Sequence, residues 1–144
     1  MQAIRSFLIV LFMAVASTAV AQQTISISEL VNTKWRVENI RISDYDEYTL
    51  TEIIWKRQDG SFFKYPYYLT DTPVTSYDKS AFDYSKVGKT KKGSYMVSIN
   101  EKMGIVYCAS IESFDKKKGV LVIKVVTQGL IGASGGIERY KLVK

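Results

Sequence analysis

The chain has 144 residues, a formal net charge of +6, 47% hydrophobic residues, one cysteine and no histidine. That length suits one domain, and so apolar a chain is not disordered. One cysteine and no histidine exclude a disulfide scaffold, a Cys/His zinc site and every mechanism that needs an imidazole.

Residues 1–21 read MQAIRSFLIVLFMAVASTAVA. Arg5 supplies a positive start, Phe7 to Ala16 form an apolar stretch, and Ala19-Val20-Ala21 is the small-x-small pattern preceding a cleavage site. The apolar run is about half of the ~20 residues a membrane-spanning helix needs. These features predict a signal peptide, a mature chain beginning at Gln22, and a periplasmic or secreted location. From Gln22 onward, 48 of 123 residues are Val, Ile, Thr or aromatic, against nine Leu and Ala together. Such residues suit a pleated surface better than a helix, so the expected fold is all-β.

Ser28 is the expected cap of one short helical turn at Ser28-Glu29-Leu30-Val31. Lys34 to Ile42 reads as a first strand, with Trp35 and Val37 on one face and a bulge near Glu38-Asn39. Ser43 to Glu47 reads as a loop. Its Asp44, Asp46 and Glu47 lack the glycine and distal glutamate of a calcium loop, so no metal is expected there. Thr49 to Lys56 is a second strand, and Asp59-Gly60 is a hairpin turn. Ser61 to Leu69 is a third strand, with Pro66 implying an edge or bulge. Val74 to Tyr84 is weakly patterned, as a strand or as a loop with one helical turn. Lys86 to Gly93 is a basic turn.

Tyr95, Val97 and Ile99 then alternate with Ser94, Met96 and Ser98. Ile105, Tyr107, Ala109 and Ile111 share one face of the next strand, and Cys108 on the other phase reads as a buried, inert thiol. Val120 to Thr127 is a nearly continuous apolar strand, Gly129 to Gly136 a glycine-rich loop, and Ile137 to Val143 the last strand. About eight strands joined by short turns predict an antiparallel up-and-down barrel, which removes exposed edges and is wide enough to hold one small ligand.

The stretch Glu29-Leu30-Val31-Asn32-Thr33-Lys34-Trp35, followed by a meander and by Arg139 on the last strand, resembles a lipocalin-like (calycin) domain over residues 22–144. Asn32 or Thr33 stands where that family has glycine, and Asn32 accepts a positive φ. The resemblance implies that Trp35 plugs one barrel end and that Arg139 packs across its indole, a cation–π contact of structural value. It also implies a fold shared by many small exported bacterial proteins more than it implies an activity.

Phe62, Phe63, Tyr65, Tyr67 and Tyr68 place aromatics on both phases of one strand, more than a single core face requires. Tyr65, Tyr67 and Tyr107 are the expected lining of a cavity mouth, with Leu130 and Ile131 in the glycine-rich loop beside it. The glycine-rich loop lacks the ending of a phosphate loop. The lysines at 86–92 and 116–118 fall in turns, and export argues against nucleic acid as their partner. No catalytic constellation and no cofactor motif is present. Charged residues within most strands, in a short chain, argue against an integral outer-membrane barrel. The expected function is non-enzymatic binding of a small apolar or amphipathic molecule. The alternative is a protein-interaction module, an inhibitor or envelope accessory factor, using an outer apolar stripe at Val120, Val122 and Val126. An open interior of several hundred Å³ favours the first, a packed one the second.

Overall fold

The computed structural model describes residues 22–38, 43–127 and 136–144. The proposed cleavage site, Asn39 to Ile42, and Leu130 and Ile131 therefore lie outside the described residues. Ten strands and one short helix follow in order: β1 (Ile25–Ser26), α1 (Ile27–Leu30), β2 (Thr33–Val37), β3 (Tyr45–Tyr48), β4 (Glu52–Lys56), β5 (Phe62–Thr70), β6 (Lys92–Gly93), β7 (Tyr95–Asn100), β8 (Ile105–Asp115), β9 (Val120–Thr127) and β10 (Ile137–Leu142). Eight of them close an antiparallel barrel in the order β10-β2-β3-β4-β5-β7-β8-β9, each strand beside its neighbour in the chain except where β10 returns to β2. The all-β, up-and-down barrel expected from composition and turn spacing is the observed architecture.

Barrel closure follows from the pleat. Leu142 lies opposite Trp35, and Tyr140 opposite Val37. All four share the inward phase, so the seam joins two apolar faces. At one end of the barrel, Trp35, Tyr48, Tyr67, Leu69, Met96, Ile111, Phe114, Leu121 and Tyr140 form a buried cluster with Ile25, Ile27 and Leu30 from β1 and α1. The N-terminal segment thus closes that end. Gln23 fastens it: its amide donates to the Phe114 carbonyl at 3.0 Å and accepts from the Phe114 N–H at 2.9 Å, just past the irregularity between Ile111 and Ser113.

The helical turn is capped two residues earlier than expected. Its N-cap is Ser26, whose N–H donates to Glu29 Oε2 at 3.0 Å, while Ser28 lies inside the turn. Asn32 then takes a φ of 64°, the left-handed geometry that asparagine tolerates where glycine is usual. Gly93 is required for space. A Cβ there would stand 2.4 Å from the Thr70 backbone nitrogen, so only a glycine lets β6 approach β5 this closely.

Two strand expectations need correction, and one open choice is decided. Residues 45–48 are a strand, not a loop: β3 pairs with β2 (Lys34 opposite Glu47) and with β4 (Glu47 opposite Ile54). Its polar residues are accommodated because Tyr45 and Glu47 face outward, where Lys34 sits 5.6 Å from the Tyr45 ring and Lys56 pairs with Glu47 at 2.9 Å. Pro66 does not interrupt β5. It stands where pairing with β4 ends, opposite Glu52, and where pairing with β7 starts at Tyr67, so no ladder hydrogen bond is lost. Of the two readings of 74–84, a strand or a loop with one helical turn, the loop is the observed one. It belongs to a long connection with two 3₁₀ turns, each begun by an aspartate capping the N–H two residues on.

That connection has a packing role. It covers the outer face of β5, β7 and β8, where Tyr68, Val97, Ile99, Val106 and Cys108 form a second buried cluster with Phe82. The larger apolar residues of β7, Val97 and Ile99, therefore point out of the barrel, while Met96 and Ser98 point into it. Cys108 is buried as expected. Burial pushes its thiol pKa up, which disfavours the thiolate, and the Val74 N–H lies 3.4 Å from its sulfur.

Candidate functional site

The end of the barrel opposite α1 is open. A cavity of about 450 Å³ occupies it, within the size range of pockets that take drug-sized molecules. Its floor is the buried cluster, reached at Trp35, Tyr48, Met96 and Tyr140. Its walls include Trp55, Tyr65, Tyr107, Ile123 and Val125. The strand register explains the space. Ser98 on β7 faces inward between Tyr67 and Tyr107 on its two neighbours, and Ala109 faces inward opposite Met96. Two small residues at adjacent inward positions leave volume that larger side chains elsewhere in the barrel fill.

Of the expected mouth residues, Tyr65 and Tyr107 both line this cavity. Burial, followed by the neighbouring Tyr107 hydroxyl, raises the Tyr65 pKa. Tyr67 is placed differently. It is fully buried below the cavity, edge-on to Tyr48 with centroids 5.7 Å apart, and its hydroxyl donates to the Thr49 carbonyl at 2.7 Å. Tyr67 is core because β5 runs from the open end toward the closed end, and position 67 lies two residues deeper than Tyr65. Tyr67→Phe should cost about 1–2 kcal/mol, the price of one buried acceptor left without its donor. A shift in the denaturation midpoint at constant slope would measure it, and ligand affinity should be unchanged.

Arg139 does not lie across Trp35. On β10 the inward residues are Glu138, Tyr140 and Leu142, so Arg139 projects outward, where its Nε is 2.9 Å from Glu38 Oε2. Lys141 reaches the same carboxylate at 3.1 Å. Trp35 instead packs against Phe114, with centroids 5.7 Å apart. Its indole N–H donates to Thr33 Oγ1 at 2.7 Å, and that hydroxyl in turn donates to the Leu30 carbonyl at the end of α1. The role expected of Trp35, a plug at the closed end, is the one it has.

The cavity also holds acidic groups that sequence reasoning did not place there. Asp44, Asp46 and Glu138 line it. Asp44 is engaged by the β4–β5 hairpin: Trp55 Nε1 donates to one oxygen at 3.2 Å and the Gln58 N–H to the other at 3.0 Å. Glu138 accepts from the Tyr140 hydroxyl at 2.6 Å. Asp46 lies on the inward phase of β3, opposite Trp55. It has no hydrogen-bonding or ionic partner among the described residues. Burial, and then the charges of Glu138 and Asp44, push its pKa up from 3.8 to about 7. Arg36 borders the cavity from the outward phase of β2, its guanidinium turned to the Ser43 carbonyl at 3.5 Å. Among the described residues no three His, Cys, Asp or Glu side chains converge as metal ligands do.

Glu138 was legible in one respect: it shares the phase of Tyr140 and Leu142, and an acid on the apolar face of a strand is a signal. Asp46 gives no such sign, because Tyr45-Asp46-Glu47-Tyr48 has no apolar face to mark it as a strand. Comparison of the chain with protein-family models, with curated proteins and with solved structures found no match in any of the three. The geometry of the cavity therefore carries the functional reading. Among the described residues no helix is long and apolar enough to cross a membrane.

Proposed function

We propose that this is an exported, non-enzymatic barrel of the lipocalin-like kind that binds a small amphipathic molecule in its open end. The observation that carries the reading is the cavity of about 450 Å³, walled by Trp55, Tyr65 and Tyr107 and floored by a packed core. Burying roughly 200 Å² of apolar ligand surface contributes about 5 kcal/mol before association costs. Micromolar affinity thus needs polar contacts as well, and the cavity offers carboxylates for them.

The interaction-module alternative has less to support it. The outward phase of β9 is interrupted by exposed Lys124, and Val126 packs beneath the connection that covers β8. The remaining pair, Val120 and Val122, is too small a stripe to mark an interface.

Native mass spectrometry of the protein purified from its own host tests the proposal. A retained small-molecule adduct is expected. So is thermal stabilisation by hits from a lipid and amphiphile panel, about 2.7 kcal/mol at a hundredfold excess over Kd. A protein that emerges empty and is stabilised by nothing in such a panel is not a ligand carrier.

A further inference from the structure

We infer that the ligand of this cavity carries a positive charge, a protonated amine on an apolar body, with Asp46 and Glu138 facing the ammonium group and Trp55, Tyr65 and Tyr107 enclosing the remainder. The inference rests on the proposed binding function and specifies its ligand.

The first argument is the distribution of charge. The chain carries 20 Lys and Arg against 14 Asp and Glu, so a random sample of its surface is basic. The cavity reverses this: Asp44, Asp46 and Glu138 line it, against one bordering cation among the described residues, Arg36, whose Nη2 lies 3.5 Å from the Ser43 carbonyl and whose buried Nε has no hydrogen-bond partner. An anionic ligand such as a fatty acid would enter against three carboxylates in a site of low polarity, where like charges repel strongly.

The second argument is that one acid is unspent. Asp44 is committed to Trp55 and Gln58, and Glu138 has the Tyr140 hydroxyl. Asp46 alone lacks a partner among the described residues. A carboxylate without a donor in a poorly solvated cavity is costly, and Asp46, half-buried on the cavity wall, is open to a ligand that completes it. Among the described residues the groups facing it are acidic, phenolic or aromatic: Trp35 faces it from β2, Glu138 and Tyr140 from β10, Asp44 and Tyr48 flank it on β3, Trp55 faces it from β4 and Tyr65 adjoins it from β5, while Arg36 on β2 borders the same cavity.

The third argument concerns which cation. The acids do not converge as a metal site requires, and the surrounding wall is aromatic. Aromatic faces attract ammonium groups and also bury hydrocarbon, whereas a hydrated metal ion gains little from them. An organic amine uses both features of the cavity.

The test is a titration of the mature protein at pH 7.5 with dodecylamine, dodecanol and dodecanoate, each below its aggregation concentration, read by calorimetry and by tryptophan fluorescence. The three share one tail and differ in head charge. Dodecylamine should bind at least about tenfold more tightly than dodecanol, and dodecanoate more weakly than either. In Asp46→Asn/Glu138→Gln the amine should fall to the affinity of the alcohol, with the alcohol unchanged. Binding the amine also requires Asp46 to ionise, so its affinity should rise by about tenfold from pH 6 to pH 8, and Asp46→Asn should abolish that rise. If the alcohol or the carboxylate binds as well as the amine, or if the amine's preference survives in the double variant, the charge assignment is wrong while the binding function stands. If none of the three binds, the binding function fails and the charge assignment with it.

Discussion

Trp35→Ala is expected to destabilise the barrel by about 3–5 kcal/mol, the range for truncating a large buried aromatic. Trp35 has no exposed surface, sits at the floor of the cavity, and is held from three directions. Phe114 packs on its ring, Leu142 pairs with it across the closing seam, and Thr33 accepts its N–H. Truncation opens a void next to an existing cavity and strips one partner from a buried hydroxyl, which adds to the transfer loss. Trp35→Phe keeps most of the ring volume and should cost less than half as much. Chemical denaturation with a constant slope gives both values.

Double-mutant cycles then separate what touches Trp35 from what does not. With Phe114→Ala the losses should be non-additive, because the two rings are in contact. With Arg139→Ala they should add within about 0.5 kcal/mol, since Arg139 lies on the outer face with Glu38 and shares no partner with the indole. The lipocalin-like pattern implies the reverse for Arg139, so the cycle distinguishes a Trp–Arg latch from the Trp–Phe packing described here.

How the sequence was read correctly and where it misled have physical causes. Strands β7, β8, β9 and β10 were legible because at least one phase of each is apolar and glycines with positive φ at 104 and 119 mark two of their turns. The barrel has the expected eight strands. Seven strands are legible outright; the eighth is residues 45–48, which complete the barrel, and not the ambiguous stretch 74–84, which wraps the outer face. Apolar residues under the long connection, Val97 and Ile99 among them, make β7 two-sided, so periodicity alone does not say which face is inside. The omission of β3 has a different origin. Tyr-Asp-Glu-Tyr lacks an apolar face because Asp46 points into a cavity rather than into packed core. Local rules fail where a site departs from them, and here the misread strand is the one that supplies the unpartnered carboxylate. Arg139 was misplaced by one step of the pleat: Glu138, not Arg139, shares the inward phase with Tyr140.

Asp46→Asn should make the protein more stable, and the gain should grow with pH. In the folded barrel the Asp46 carboxyl titrates at about 7, against 3.8 for the exposed side chain. Between these values the folded state holds a proton that the unfolded chain has already released. Stability contributed by this group therefore falls as pH rises from about 4, and the fall ends once pH passes 7. The full swing is on the order of 4 kcal/mol. Asparagine removes the titration, so the difference between variant and wild type should be smallest near pH 4 and reach that value near pH 8. Other acids act in the opposite sense. Asp59, Asp78 and Asp83 are held below the usual carboxylate range by hydrogen bonds from Ser61, Ser80 and Ser85, and they favour the fold at higher pH. They are common to both proteins, so subtracting one stability curve from the other cancels them. Glu138→Gln should give a smaller change of the same sign, since Glu138 is the second cause of the raised Asp46 pKa, after burial. Parallel curves for wild type and Asp46→Asn from pH 4 to 8 would mean that Asp46 is solvated like a surface residue. The unpartnered acid on which the ligand assignment depends would then be absent.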